Sequence, residues 1–312
     1  MKSLGLVLTL TSCLALVACQ GSSVPNELAP GDGRIAGIVG GKATREKSDP
    51  AYWSVAALDL KISVFSLQGS KTETSFCTGT LIDKDLILTA AHCLLASEKN
   101  PFATVRISGT AFFSQTGEHY EIKQALGHKG YNENVRRDST GTTHADPFAD
   151  IALILLEKQV SSPLRPASLP THSFDQGASL LTRIYGYGAE NYMNRLFSTQ
   201  ASENEAEEDD SKMPLRWVDA QGTVTNAQLR YDQSKGKGFC KGDSGGPHFI
   251  SENDRSVVIA VSSSVTDVSL STPDWCRRHS VAILVEPFLD WIQEGITTLR
   301  SDPSAETSVI SK

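Results

Sequence analysis

The chain has 312 residues, 39% of them hydrophobic and 21% charged, with a net charge of -7. That length can bury a large core in one or two domains, and no low-complexity bulk argues against a globular reading. The acidic balance supplies no basic surface suited to nucleic acid, so no nucleic-acid partner is expected.

The first 18 residues read as an export signal. Lys2 gives a positive start, Leu4 to Leu10 a mostly apolar run, and Leu16-Val17-Ala18-Cys19 a small-residue cleavage box. Leu-Val-Ala-Cys also resembles the lipobox of bacterial lipoproteins. That resemblance implies cleavage before Cys19 and a lipid anchor on it, stable because each buried methylene adds about 0.8 kcal/mol. Gln20, where an Asp would resemble an inner-membrane signal, points to the outer membrane, or to secretion if the anchor is lost. Beyond the signal no stretch is long and apolar enough to span a bilayer. Residues 19–37, rich in Gly, Ser, Pro and Asn, read as a flexible tether continuous with a propeptide.

Strand signals follow at short intervals: Trp53 to Leu60, Ser75 to Ile82, Asp85 to Thr89, Thr104 to Ser108, and His119 to Leu126. Ile151 to Leu156, Leu180 to Gly186, Arg216 to Val224, Val257 to Ser262 and Val281 to Val285 continue the series. Many short strands without helical periods between them predict an all-β barrel or sandwich. Phe288, Leu289 and Ile292 predict one closing helix over Glu286 to Ile296. Glu203 to Asp210 is a like-charge run expected as a solvated loop, and residues 300–312 read as a polar tail.

Of six cysteines, Cys13 leaves with the signal and Cys19 takes the lipid. Cys77, Cys93, Cys240 and Cys276 remain, an even number that suggests two disulfides in any of three connectivities. No Cys-x-x-Cys pair is present, so neither a metal nor another cofactor is expected.

Cys240-Lys241-Gly242-Asp243-Ser244-Gly245-Gly246-Pro247 makes most chemical sense if Ser244 is a nucleophile. Glycines on both sides open backbone conformations closed to other residues, and the amides of Gly242 and Ser244 can converge on an oxyanion. A serine also needs a base. Thr89-Ala90-Ala91-His92-Cys93 supplies a histidine, and Asp150-Ile151-Ala152-Leu153 an acid, placed just before an apolar run. Asp146 is the rival acid, read as a surface loop residue.

With Ile38-Val39-Gly40-Gly41 near the start, these motifs in the order His, Asp, Ser resemble the trypsin/chymotrypsin-like serine protease family, from about Ile38 to Ile292. The resemblance implies a protease domain over 38–299, folded as two six-stranded antiparallel barrels with a short C-terminal helix and the site between them. It implies a monomer that cuts protein or peptide substrates. His92 would be the base, Asp150 its orienting acid, and Ser244 the nucleophile. Cys77 would pair with Cys93, and Cys240 with Cys276. A freed amine at Ile38 would pair with Asp243 and switch on a zymogen. Gly37 rather than Arg or Lys precedes Ile38, which leaves the activating cut unassigned.

The family's primary pocket maps to Gly238 at its base, with Ser264 and Ser280 on its walls. An uncharged base argues against Arg or Lys preference. Neutral side chains are expected, with acidic ones the second choice because Arg277, Arg278 and His279 lie near. Val261-Ser262-Ser263-Ser264 is expected to pair with substrate backbone. The competing class is a catalytically silent binding or adhesion lipoprotein on the same fold.

Overall fold

The computed structural model describes residues 38–44, 47–67, 69–95, 104–188, 214–268 and 275–301. The chain divides into Met1–Arg34 and Ile35–Lys312, and all described residues belong to the second unit. The export signal, Cys19, Gly37 and the acidic run lie outside them.

Alternation sets the first strands. In β2 (Val55–Ser66), Leu58, Leu60, Ile62 and Val64 are buried while Asp59 and Lys61 between them are exposed. That is the period of two expected of a half-buried strand. β2 pairs antiparallel with β3 (Gly69–Asp83) along its whole length and with β5 (Thr104–Phe113) on its other edge. With β4 (Leu86–Thr89), β6 (Glu118–Gly127) and β9 (Ala152–Leu156) they close a six-stranded barrel in the order β2-β3-β4-β9-β6-β5. All five residues of β9 are buried.

One outside cover for β9 is the C-terminal helix α1 (Leu289–Ser301), entered through a 3-10 turn at Glu286–Phe288. A Cβ at Gly295 would lie 2.7 Å from Leu153 Cδ1, so glycine lets the helix sit down on the barrel. The helix outruns the expected Ile296. Arg300, read as the start of the tail, lies within it and donates to Asp83 at 2.9 Å and to Asp85.

The second barrel runs β11 (Arg216–Thr225), β10 (Ser179–Gly186), β13 (Pro247–Glu252), β14 (Arg255–Thr266), β15 (His279–Leu284) and β12 (Gln228–Asp232). β12 returns to pair with β11, closing six strands. β1 (Lys42–Ala43) pairs with the start of β11, and β7 (Arg136–Arg137) with β8 (Thr143–His144) forms a small hairpin.

The expected all-β architecture of two six-stranded barrels and one short helix is the architecture observed. β12 and β13 were missing from the expected strands. β12 alternates Gln, Arg and Asp with Leu and Tyr but carries only two apolar residues, and β13 opens on a proline directly after the glycine-rich turn and does not alternate.

Candidate active site

The register of two short strands brings His92 and Asp150 together. β4 and β9 pair antiparallel with Thr89 opposite Ala152. His92 follows three residues after Thr89, in a 3-10 turn over Ala91–Leu94, and Asp150 stands two residues before Ala152. Ala149, at φ +51°, turns the chain into that position.

Asp150 is 1% exposed. Its Oδ1 accepts from the His92 backbone amide at 2.8 Å, and its Oδ2 faces His92 Nδ1 at 2.7 Å. Ser263, on β14 of the other barrel, donates its hydroxyl to the same Oδ2. Burial pushes the Asp150 carboxyl up, but the His92 charge and these donors outweigh it and hold it below its usual value. A carboxylate only accepts, so Nδ1 carries the proton and Nε2 of neutral His92 offers its lone pair. Burial pushes His92 down, while the Asp150 charge and hydrogen bond, with the Glu133 charge, carry it net upward.

Ser244 sits in a turn shaped by Gly242 (φ +85°) and Gly245 (φ +79°). Its carbonyl accepts from Thr78 N at 2.8 Å, and the next amide, of Gly245, donates to Ser262 O at 2.8 Å. A Cβ at Gly245 would lie 2.0 Å from Thr89 Oγ1, so only glycine brings the turn against the strand that leads to His92. Among the described residues no hydrogen bond joins Ser244 Oγ to His92 Nε2; such bonds are often long before substrate binds. The amides of Asp243, Gly245 and Gly246 have backbone acceptors. No backbone acceptor takes those of Gly242 and Ser244 among the described residues.

Asp243 is fully buried. Cys240 N donates to it at 3.0 Å and Gly188 N at 2.9 Å. Burial nevertheless pushes its carboxyl up to about 7, against these bonds and the Arg216 charge. Ile38 is 0% exposed, in the core of the second barrel, and Val39 forms a two-way backbone bridge with Gly238.

The Trypsin family profile matches residues 38–292. The chain belongs to the Trypsin family. It is 29% identical to Trypsin alpha of Drosophila melanogaster over 236 residues, covering 75% of this chain and 80% of that protein. It is 27% identical to rat Granzyme M over 245 residues, 74% and 83% of the two chains. A solved HL collagenase overlays at 19% identity with TM-score 0.49, covering 84% of this chain and 98% of the other.

Elsewhere in this Trypsin-family chain, Cys77 is bonded to Cys93 beside His92, and Cys240 to Cys276. Cys77, His92 and Cys93 are near enough together to suggest a metal site, but both sulfurs belong to the disulfide. Asp146, the rival acid, is bonded to Gln228 and Arg230.

The expected pocket residues divide. Gly238 and Ser280 meet at Gln233, a fully buried side chain that the motifs did not reveal. Gln233 Oε1 accepts from Phe239 N at 2.6 Å and Ser280 Oγ at 2.9 Å, and its Nε2 donates to Phe239 O and Cys276 O. It stands where a side chain at Gly238 would have to go. Ser264 stands on β14 opposite Val281, the residue after Ser280 on β15. Ser263 was legible as substrate-edge strand but not as a partner of Asp150, because strand alternation does not say which hydroxyl crosses to the other barrel.

Proposed function

We propose that this chain is a serine endopeptidase acting through Ser244, His92 and Asp150. The observation that carries the reading is the Asp150–His92 hydrogen bond, which leaves Nε2 as the base, in a turn that follows the β3–β4 pair against which the Ser244 turn is held. Ser244 Oγ attacks a peptide carbonyl while His92 Nε2 takes its proton. The tetrahedral oxyanion is held by the amides of Gly242 and Ser244. Collapse breaks the C–N bond, and His92 returns the proton to the leaving amine. Water then repeats the sequence on the acyl-enzyme, releasing the acid and restoring Ser244.

The uncharged floor at Gly238, closed by the Gln233 amide, supports substrates other than Arg or Lys. Neutral side chains come first, and acidic ones second. Buried Ile38 and the buried carboxyl group of Asp243 support a zymogen whose new amine at Ile38 pairs with Asp243. The Leu16–Cys19 box supports export with a lipid on Cys19, on a chain acting as a monomer.

A fluorophosphonate probe tests the catalytic reading. Labelling mapped to Ser244 and lost in Ser244→Ala is expected in protein that starts at Ile38. No labelling of that form would overturn it in favour of a binding protein on this fold.

A further inference from the structure

Arg216 lies between Asp243 and the turn that holds Ile38, and it belongs to no motif. We propose that Arg216 is a positioning residue that gives Asp243 a resident counter-charge, so that the chain retains part of its peptidase activity without a cut before Ile38. The inference rests on the serine endopeptidase reading and adds a second form in which that site operates.

Strand register places Arg216. It stands on β11 opposite both Ala43 of β1 and Gly186 of β10. Residues directly opposite in antiparallel strands share a face, with Cβ atoms about 5 Å apart. A Cβ at Gly186 would lie 2.1 Å from Asp243 Oδ1, so the carboxyl group fills the place of that missing side chain, beside the Arg216 stem. On the other side Arg216 Nη2 donates to Gly41 O at 3.2 Å, and Gly41 N donates to Ile38 O at 3.1 Å. One side chain therefore holds the Ile38 turn and carries its charge on the face where Asp243 is buried.

The guanidinium is not fully committed. Its Nε is buried and has no partner among the described residues, which destabilises a charged group unless an anion is near. Asp243 offers that anion. Cys240 N and Gly188 N donate to it, and the Arg216 charge also favours its ionised form. No hydrogen bond joins the two side chains; the effect is that of a charge in a buried site, where screening is weak. No other charged group bears on Asp243 among the described residues. An ammonium freed at Ile38 would act on the same carboxylate, from the turn that Arg216 already holds.

The chain here is uncut, yet its Ser244 turn is formed. Thr78 N donates to Ser244 O and Gly245 N to Ser262 O, both at 2.8 Å, and the amides of Gly242 and Ser244 have no backbone acceptor among the described residues.

Fluorophosphonate labelling of two forms tests the proposal, one with Gly37 still joined to Ile38 and one starting at Ile38. Uncut protein should label at Ser244, and not in Ser244→Ala. Its rate relative to the Ile38-started form should rise with pH through the Asp243 midpoint of about 7; His92 titrates in both forms and cancels. Arg216→Met should move that midpoint up by about one unit, the effect of losing a nearby opposite charge, and Arg216→Lys should restore it. Arg216→Gln, which keeps a donor for Gly41 O without the charge, should shift it as Met does and serves if Arg216→Met does not fold. Labelling of the Ile38-started form alone would overturn the inference and leave the peptidase reading standing. A midpoint unmoved by Arg216→Met or Arg216→Gln, or an equal loss of rate in both forms at every pH, would overturn it too. Labelling of neither form would overturn both readings.

Discussion

The buried carboxyl of Asp243 makes the proposed activation measurable as a change in stability with pH. In the intact chain burial raises Asp243 from 3.8 to about 7, a shift of roughly three units, each worth ~1.4 kcal/mol. Between those values the folded protein holds a proton that the unfolded chain has lost. Stability therefore falls as pH rises through this window, by about 4 kcal/mol in all. A cut before Ile38 that delivers an ammonium to Asp243 lowers the carboxyl again and removes the loss. His248, which burial pushes down to about 3, has the opposite slope between there and 6.5. It is present in both forms and cancels in their difference.

Urea unfolding of intact and Ile38-started protein, from pH 4 to 7.5, gives that difference directly. The processed form should gain about 4 kcal/mol relative to the intact one across the range. In Asp243→Asn the gain should vanish. A difference that stays constant with pH would refute the pairing of the Ile38 amine with Asp243.

Two further outcomes follow from the Asp150 carboxylate. Ser263→Ala removes one of its three donors, and a hydrogen bond to a charged group is worth about 1.5–3 kcal/mol. A fall in kcat of roughly tenfold or more with KM nearly unchanged is expected from steady-state kinetics, and an unaltered kcat would show the hydroxyl to be dispensable. His92 must be neutral to accept the proton of Ser244, and its pKa is raised by Asp150, so kcat/KM against pH should rise through a limb above the ordinary imidazole value of 6.5. A limb at or below that value would mean that the carboxylate does not act on the imidazole as its 2.7 Å contact implies.

What was legible in the sequence is what short-range pattern encodes. Apolar alternation marked most strands, and the glycine-flanked Ser244, the His92 segment and Asp150 stood out because their chemistry requires rare combinations of neighbours. The partner of His92 could be chosen because Asp150, unlike Asp146, directly precedes a fully apolar strand, and such a strand has to be buried. Gln233 and Ser263 were not recoverable in this way. Each acts through a bond to a residue more than 40 positions away, or, for Ser263, 113 positions away in the other barrel. Nothing in the local spacing of a Gln or a Ser distinguishes such a bond from exposure to solvent.

Thr78 carries this point furthest, since it joins the parts of the proposed triad across the seam without belonging to any motif. It is a 0% exposed polar residue in the middle of β3. Its amide donates to Ser244 O at 2.8 Å and its hydroxyl to Gly242 O at 3.0 Å, while Tyr187 N donates to that hydroxyl at 3.1 Å. Its carbonyl accepts from Thr89 Oγ1 at 2.9 Å. A valine of nearly the same shape would satisfy the alternation of β3 equally well, yet it would leave Gly242 O and Tyr187 N without this partner in a buried seam. The hydroxyl is therefore explained by the second barrel, not by the strand that contains it. It ties the Ser244 turn to the strands that set the register of His92 and Asp150, so the three residues are held by one connected backbone frame.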